Sequence, residues 1–504
     1  MRKAALLLLG GLLALTACRQ TRAPAQEPAK PGGAVLLISS DLRGYLGPCG
    51  CSENMRGGIG RAAFQVAEAR KGNAPVFFLD GGDSLFGHEK LPPAEVPQEE
   101  LKARTLAKAF VQMGLVTRGA GELDGTRGPE FLESLRLPIQ QNGSFKLLDA
   151  RGQKLGVVMA ATAEELRQAS AKAKEAGAVW VLAFLHQGLE QAQKVAEAPG
   201  LKADFIVAVH HPGEFAAEEN RLVRAAVPVA RVQSKGRSLL RVDLDLRGQG
   251  PFELLRSQSE AERELNALEQ RLALMDKQIN TPGLRDDAKA MYQAKLQELL
   301  KRRDALVNAP PPSTAGKNAF AVRFVPLEAT LPSLPEAQEW VKAYDQEVAR
   351  INLAWAKEHG QDCPAPKKGE AAFVGNASCE ECHAEAFEVW GKSKHAHAYE
   401  TLESQGKQYH LNCVGCHVIG FEKPGGVCRV DKVEGRKDVG CESCHGPGSL
   451  HAAEPSDANI VAKPDQALCV TCHNPENSPH FDFPTYLPQI LGKGHGQPAA
   501  AGGK

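Results

Sequence analysis

Short, almost wholly apolar runs alternate with amphipathic stretches through the first half of the chain. The runs lie at 34–39, 76–79, 157–161, 179–184, 205–209 and 229–232. A strand without a polar face is one covered on both sides, so the alternation predicts a layered α/β domain over 34–250. From 258 the period changes. Leu265, Leu268, Leu272, Met275 and Ile279 step by three and four, Thr281-Pro282-Gly283 breaks the run, and Tyr292, Leu296, Leu299 and Leu306 resume it. This predicts an antiparallel helical hairpin with charged outer faces. A proline-rich linker follows at 309–316, then a strand at 320–326. A helix at 334–359 carries Trp340, Tyr344, Val348, Ile351 and Trp355 on one face, before a second linker at 363–370. The region 251–372 therefore reads as hairpin and linker. Beyond it, 373–492 is poor in Leu, Ile and Val, and 493–504 is a Gly-rich tail.

The first residues are a leader by pattern. Met1-Arg2-Lys3 is basic, 4–15 is apolar but too short to span a bilayer as a mature helix, and Leu15-Thr16-Ala17-Cys18 closes the segment. It resembles a bacterial lipobox. That implies a signal peptide over 1–17 and a lipid-bearing Cys18, with 18–33 a flexible tether rich in Ala, Pro and Gln. Arg19 rather than Asp after the cysteine favours the outer membrane of a Gram-negative envelope, facing the periplasm or the surface. Lys+Arg and Asp+Glu are both 60, so the formal charge is zero. That excludes a globally basic nucleic-acid binder, and no nucleic-acid partner is expected.

Nine of the 13 cysteines lie between Cys379 and Cys472. Eight of them form Cys379-Glu-Glu-Cys382-His383, Cys413-Val-Gly-Cys416-His417, Cys441-Glu-Ser-Cys444-His445 and Cys469-Val-Thr-Cys472-His473. All four are C-x-x-C-H. One turn of backbone sets two thiols at the two vinyl groups of a haem, and the next residue offers its imidazole to the iron. Four such segments imply four haem c, with His383, His417, His445 and His473 proximal. A zinc site does not need a His after every pair. So few aliphatic residues around four haems mean that the macrocycles themselves form most of the core, and the apo form is not expected to fold. Distal candidates are His395, His410, His451 and His480. His397 and the tail residue His495 are also free.

The stretch from about Val374 to Cys472 resembles the tetrahaem cytochrome c-554 family. The matches are Cys379–His383 followed by Trp390 and Ser393-Lys394-His395-Ala396, then Asn412–Val418 with Gly420-Phe421, and Val439–Gly448 around the third motif. The resemblance implies His395 as a distal ligand and close-packed haems that pass electrons to redox partners, such as other cytochromes or a quinol-linked complex.

Residues 34–246 resemble the 5′-nucleotidase branch of metallophosphoesterases. The segments are Ser40–Leu46, Gly57–Arg61, Leu79–Ser84, His186–Leu189 and Asp204–His210, in the family's order. The resemblance implies a layered sheet sandwich with flanking helices. Such enzymes hold two divalent metals that activate water for phosphoester cleavage, on D-x-H, G-D, G-N-H-E, a lone His and G-H-x-H. Here Arg43 replaces the first His, Gly119-Ala120-Gly121-Glu122 replaces G-N-H-E, and Pro212 stands at the last His. Asp41, Asp83, His186 and His210 survive and are candidates for one divalent metal. Arg43 adds a fixed positive charge where a metal would sit.

Pro48-Cys49-Gly50-Cys51 lies in the loop expected to line that cleft. A C-x-C pair forms a reducible disulfide or binds a soft metal. Equally, Cys49 or Cys51 pairs structurally with Cys363 or Cys428. Cys49 and Cys51 are therefore redox candidates, while no catalytic residue is otherwise assigned. Electron transfer is favoured over hydrolysis. The alternative is a phosphate or sulfate ester hydrolase coupled to the cytochrome part.

Overall fold

The structure, a computed structural model, describes residues 33–48, 55–209, 219–247, 249–255, scattered positions between 264 and 279, 286–307, 317–474, 477–478 and 481–495. Two six-stranded sheets form the N-terminal domain. The first has the order β11-β12-β10-β1-β2-β3, and the second β4-β5-β6-β7-β9-β8. The strands are β1 (Gly33–Ser39), β2 (Val76–Asp80), β3 (Leu115–Arg118), β4 (Ser144–Ala150), β5 (Gln153–Ala160), β6 (Ala178–Leu185), β7 (Phe205–Ala208), β8 (Arg221–Val223), β9 (Val229–Arg231), β10 (Ser238–Asp245), β11 (Gln249–Leu255) and β12 (Lys317–Pro326). All six apolar runs are strands.

Three apolar layers show why. Between the sheets, Leu36 and Ile38 of β1 meet Val157, Met159, Trp180, Leu182, Phe184 and Phe205 of the second sheet. The opposite face of the first sheet, with Val35, Leu37 and Phe78, packs on helices α1 (Ile59–Arg70) and α2 (Val96–Gln112). The opposite face of the second sheet, with Val158, Val181 and Ile206, packs on α4 (Ala163–Glu175) and α5 (Leu189–Ala196), α3 being Gly128–Ser134. The order is helix, sheet, sheet, helix, as expected of the α/β domain.

Strand β12 runs between β10 and β11, so the first sheet takes in residues well beyond 250. The charged helix α6 (Asp286–Val307) is the second arm of the expected hairpin. The first arm and its Thr281-Pro282-Gly283 turn lie largely outside the described residues. Helix α7 (Pro335–Glu358) packs on α1 and α2. Past it the chain is short helices and irregular segments with one small apolar cluster of Tyr399, Val414, Val418, Val427, Val430 and Val433, joined by Ala356 of α7. Cys363 and Cys428 form a disulfide, which removes both as partners for Cys49 and Cys51. Among the described residues, no helix is long and apolar enough to cross a membrane.

Trp180 is fully buried between the sheets, against Phe205, Phe252 and Phe320. Trp180→Ala is expected to destabilise the N-terminal domain by about 3–5 kcal/mol, read as a lower midpoint in urea unfolding.

Candidate functional site

Strands β1, β2 and β3 run parallel, as do β5, β6 and β7, and the loops leaving their C-terminal ends converge. These loops carry Asp41, Arg43, Asp83 and His186. Asp41, Arg43, Asp83 and Lys235 all have left-handed backbones, with φ of 53°, 50°, 51° and 63°. Such strain concentrates at sites over-determined by their surroundings.

The surviving acidic groups are engaged with protein. Arg43 Nε donates to Asp41 Oδ1 at 2.7 Å, and Ser234 Oγ donates to Asp41 Oδ2. Asp83 Oδ1 accepts from Leu123 N–H at 2.7 Å. A Cβ placed on Gly121 would fall 2.2 Å from the Asp83 carboxyl carbon, so that carboxyl fills the room a side chain at 121 would take. Burial, with the neighbouring Asp124 charge, pushes Asp83 up to about 8. Burial raises Asp41 as well, against the opposing pull of Arg43. His186 Nε2 lies 2.9 Å from the Gly81 carbonyl. An oxygen that only accepts makes that nitrogen the protonated one. Burial holds the ring below its ordinary pKa.

Underneath lies a network that the sequence did not announce. The fully buried Arg118 bridges Asp80 at 3.1 Å and Asp124 at 2.8 Å. Asp124 also accepts from the backbone N–H groups of Asp83, Ser84, Leu85 and Gly121. It thereby fixes both loops. Arg118, Asp124, Ser234 and Lys235 belong to none of the motifs, although the Ser234-Lys235-Gly236 turn was a local sign. Among the described residues, no three His, Cys, Asp or Glu side chains gather as a metal-binding group. His210, Cys49 and Cys51 lie outside those residues. The base of the Cys49–Cys51 loop closes at a Pro48–Gly57 bridge, and a Cβ on Gly57 would sit 3.1 Å from the Gly236 carbonyl, beside Lys235.

The four C-x-x-C-H segments come together in the C-terminal part. The Cys379 thiol contacts Cys441, Cys472 contacts Cys416, and Cys444 is near enough to Cys469 and Cys472 to feel their charge. Motif one thus adjoins three, and four adjoins two. His417 Nδ1 lies 2.5 Å from the Ala398 carbonyl and His445 Nδ1 2.7 Å from the Val461 carbonyl. His451 Nδ1 lies 3.0 Å from the Ser456 carbonyl and 3.3 Å from the Ser456 N–H, and His473 Nδ1 3.1 Å from Ser478 Oγ. At His417 and His445 the carbonyl fixes the proton on Nδ1 and leaves the Nε2 lone pair for a metal, the usual outer support of a ligating His.

Two imidazole pairs face each other. His383 and His451 have ring centroids 6.1 Å apart at 22°, and His395 and His473 6.1 Å apart at 49°. Two imidazoles on one metal, each nitrogen about 2 Å from it and about 1.1 Å from its own ring centre, stand about 6 Å apart. The donors therefore fit haem c. Burial lowers the pKa of His395 and of His473 and so favours the neutral form that ligates.

Two other histidines sit where the sequence did not lead. His410, a distal candidate, is buried against α7, edge-on to Tyr344 at 5.7 Å with its Nε2 3.3 Å from Asp345. It faces no motif histidine. His495, read as tail, is instead delivered by a segment packed on α8 (Ala384–Gly391). A Cβ on Gly494, at φ 91°, would meet the Ala386 backbone nitrogen at 2.5 Å. His495 loses basicity to burial and to its neighbours His445 and His383. Its Nδ1 is buried without a hydrogen-bond partner among the described residues. His480 lies outside the described residues. His397 is exposed beside Glu400.

Residues 378–446 match the family described as cytochrome c554 and c-prime. Cytochrome c-554 of Nitrosomonas europaea is 35% identical over 94 residues, which are 16% of this chain and 40% of that protein. The chain thus spans well under half of this curated relative. Among solved structures, the chain is similar to the 5′-nucleotidase precursor from Thermus thermophilus, with TM-score 0.42, 13% identity, and coverage of 81% of this chain and 72% of that one. It is also similar to the NAD nucleotidase of Haemophilus influenzae, with TM-score 0.40, 11% identity, and coverage of 70% and 65%.

The His410–Asp345 contact has a pH signature. Burial pushes His410 down to about 4 and Asp345 up to about 6. Unfolding takes up the His410 proton between about pH 6.5 and 4, so that group alone makes stability fall as pH falls through this window. Asp345 alone does the reverse between about 3.8 and 6, and the two offset each other. His410→Gln should leave Asp345 uncompensated. Relative to the unaltered protein, the variant then gains stability as pH is lowered from about 6 to about 4, measured by chemical unfolding at each pH.

Proposed function

We propose that this chain is an electron-transfer protein of the bacterial cell envelope, with four haem c in its C-terminal part. The observation that carries this is the pair of facing imidazoles at about one metal's span, each pair including a motif histidine. Haem c is attached by Cys379 and Cys382, Cys413 and Cys416, Cys441 and Cys444, and Cys469 and Cys472. His383, His417, His445 and His473 are the proximal ligands. His451 is distal to the first motif and His395 to the fourth, and His495 is placed for the third. His410 is set aside, and the second motif has no facing imidazole among the described residues. When bound, haem supplies an iron that cycles between two oxidation states.

The chain's own residues fix the rest. The Ala398 and Val461 carbonyls hold the ring orientation and tautomer of His417 and His445. The thiol contacts between motifs one and three and between motifs four and two support close-packed haems along which electrons pass. Partners are other cytochromes or a quinol-linked complex. Cys18 carries the lipid that holds the protein at the membrane, with the outer membrane favoured.

A second reading keeps an ester hydrolase in the N-terminal domain, with a divalent metal on Asp41, Asp83, His186 and His210. The donor set argues against it. Asp41 is taken by Arg43 and Ser234, Asp83 is turned to the Leu123 backbone, and His186 Nε2 is held by Gly81. The Cys49/Cys51 pair is the redox candidate in this domain.

Protein matured in a host that attaches haem c should contain four haems by pyridine haemochrome assay. His451→Ala and His395→Ala should each turn one iron high-spin, whereas His410→Gln should turn none. Colourless protein would sink the reading. With Mn²⁺ or Zn²⁺ present, the protein should release no phosphate from nucleoside monophosphates above the level of Asp83→Asn. Metal-stimulated release lost in that variant would restore the hydrolase.

A further inference from the structure

The two modules meet along a seam from which water is excluded. Helix α2 contributes Gln98 and Glu99, 0% and 4% exposed, and α7 contributes Asn352, 3% exposed. Opposite lies the segment leading into the second motif. Gln98 Oε1 accepts from the Leu411 N–H at 3.1 Å and from Asn352 Nδ2 at 2.8 Å. Asn352 Nδ2 also donates to the Tyr409 carbonyl at 2.7 Å. Glu99 Oε1 accepts from Asn412 Nδ2 at 2.9 Å, one residue before Cys413. The same oxygen accepts from Lys102 Nζ at 2.5 Å.

Lys102 reaches the other way as well. A Cβ on Gly44, at φ 77°, would lie 3.4 Å from Lys102 Cδ, so the lysine stem lies along the loop that bears Asp41 and Arg43. Gly44 N–H is itself bonded to the Ser84 carbonyl at 3.0 Å. A contiguous path therefore runs from the cleft loop through Lys102, Glu99 and Asn412 to the second attachment segment.

Adhesion does not explain the charges. A buried ion pair adds little net stability over an apolar contact of the same shape, and the Gln98–Asn352 amides already join the modules. A fixed charge in a dry seam does act strongly on a nearby redox centre, because little solvent screens it. Burial opposes ionisation of Glu99, but Lys102 and the hydrogen bonds from Lys102, Asn412 and Gln98 outweigh it and hold its carboxyl below the ordinary value. Glu99 is thus a permanent anion beside Cys413, and Lys102 is its counter-charge on the cleft side.

We propose that Glu99 and Lys102 set the redox potential of the second haem. This rests on haem being held by Cys413, Cys416 and His417. Glu99 bonds Asn412 and Lys102 rather than offering a ligand, so both would act as positioning residues by charge. A negative charge favours the ferric iron, which bears one more positive charge than the ferrous. Removing Glu99's charge must raise the potential, and removing Lys102's must lower it.

The test is a spectroelectrochemical titration of full-length holo-protein, with haem counted in each variant. Glu99→Gln keeps an oxygen for Asn412, and Lys102→Met keeps the stem against Gly44. One of the four waves should move positive in Glu99→Gln, the same wave should move negative in Lys102→Met at a pH alkaline enough to keep Glu99 ionised without its counter-charge, and Glu99→Asp should return it towards its original place. Unmoved waves, a shift of all four together, or shifts of one sign in both variants would overturn the inference, the last because a loosened seam acts alike in both. Four haems with unmoved waves would refute this inference alone. Fewer than four in the unaltered protein would refute the haem assignment beneath it.

Discussion

Helix α7 serves two cores at once. Its first turns bury Ala337, Tyr344 and Val348 against α1, α2 and the first sheet, and its last turns put Ala356 into the small apolar cluster of the C-terminal part. That part has few other aliphatic side chains to bury. Under the proposed function, attached haems would supply most of its interior, and a neighbour supplies the remainder. Docking is consequently specific: Asn352, Gln98 and Glu99 satisfy backbone and side-chain groups on the Tyr409–Asn412 segment, and the Cys363–Cys428 bond ties the chain leaving α7 to the same region. Two modules of unrelated chemistry are thus held in one arrangement by a single helix.

The N-terminal cleft satisfies its own carboxylates. Four of its residues hold left-handed backbone angles that cost about 1–3 kcal/mol each, and the buried Arg118–Asp80–Asp124 network is what holds the loops in place. Yet the carboxylates above it are satisfied from within. Arg43 and Ser234 cap Asp41, and the absence of a side chain at Gly121 lets Asp83 turn to the backbone of Leu123. Each of these carboxylates is engaged by groups on the neighbouring loops, which the buried network below holds in place.

Much of this was legible in sequence, for definite reasons. The six apolar runs all became strands because both of their faces are covered. Strand β10 escaped notice because Arg241 and Asp243 interrupt its apolar pattern; in the sheet those two pair with each other at 2.7 Å. The C-x-x-C-H segments stand out in the sequence because their spacing repeats, and the first three lie within the matched family region. Their partners were not, since His383 meets His451 and His395 meets His473 only after the chain has folded back on itself. His495 looked like tail because Gly492 and Gly494 surround it, whereas those glycines are what let the segment lie flat on α8. Arg118 and Asp124 gave no sign, because a buried ion network needs no fixed spacing along the chain.

The place of β12 has a consequence for how the protein is made. It is the last strand to enter the first sheet and lies inside it, between β10 and β11, with α7 following directly. A chain made from its N-terminus cannot close that sheet until β12 has emerged, and α7 follows before the first C-x-x-C-H segment. The sheet and helix that form the docking platform are therefore complete before the C-terminal part that settles on them.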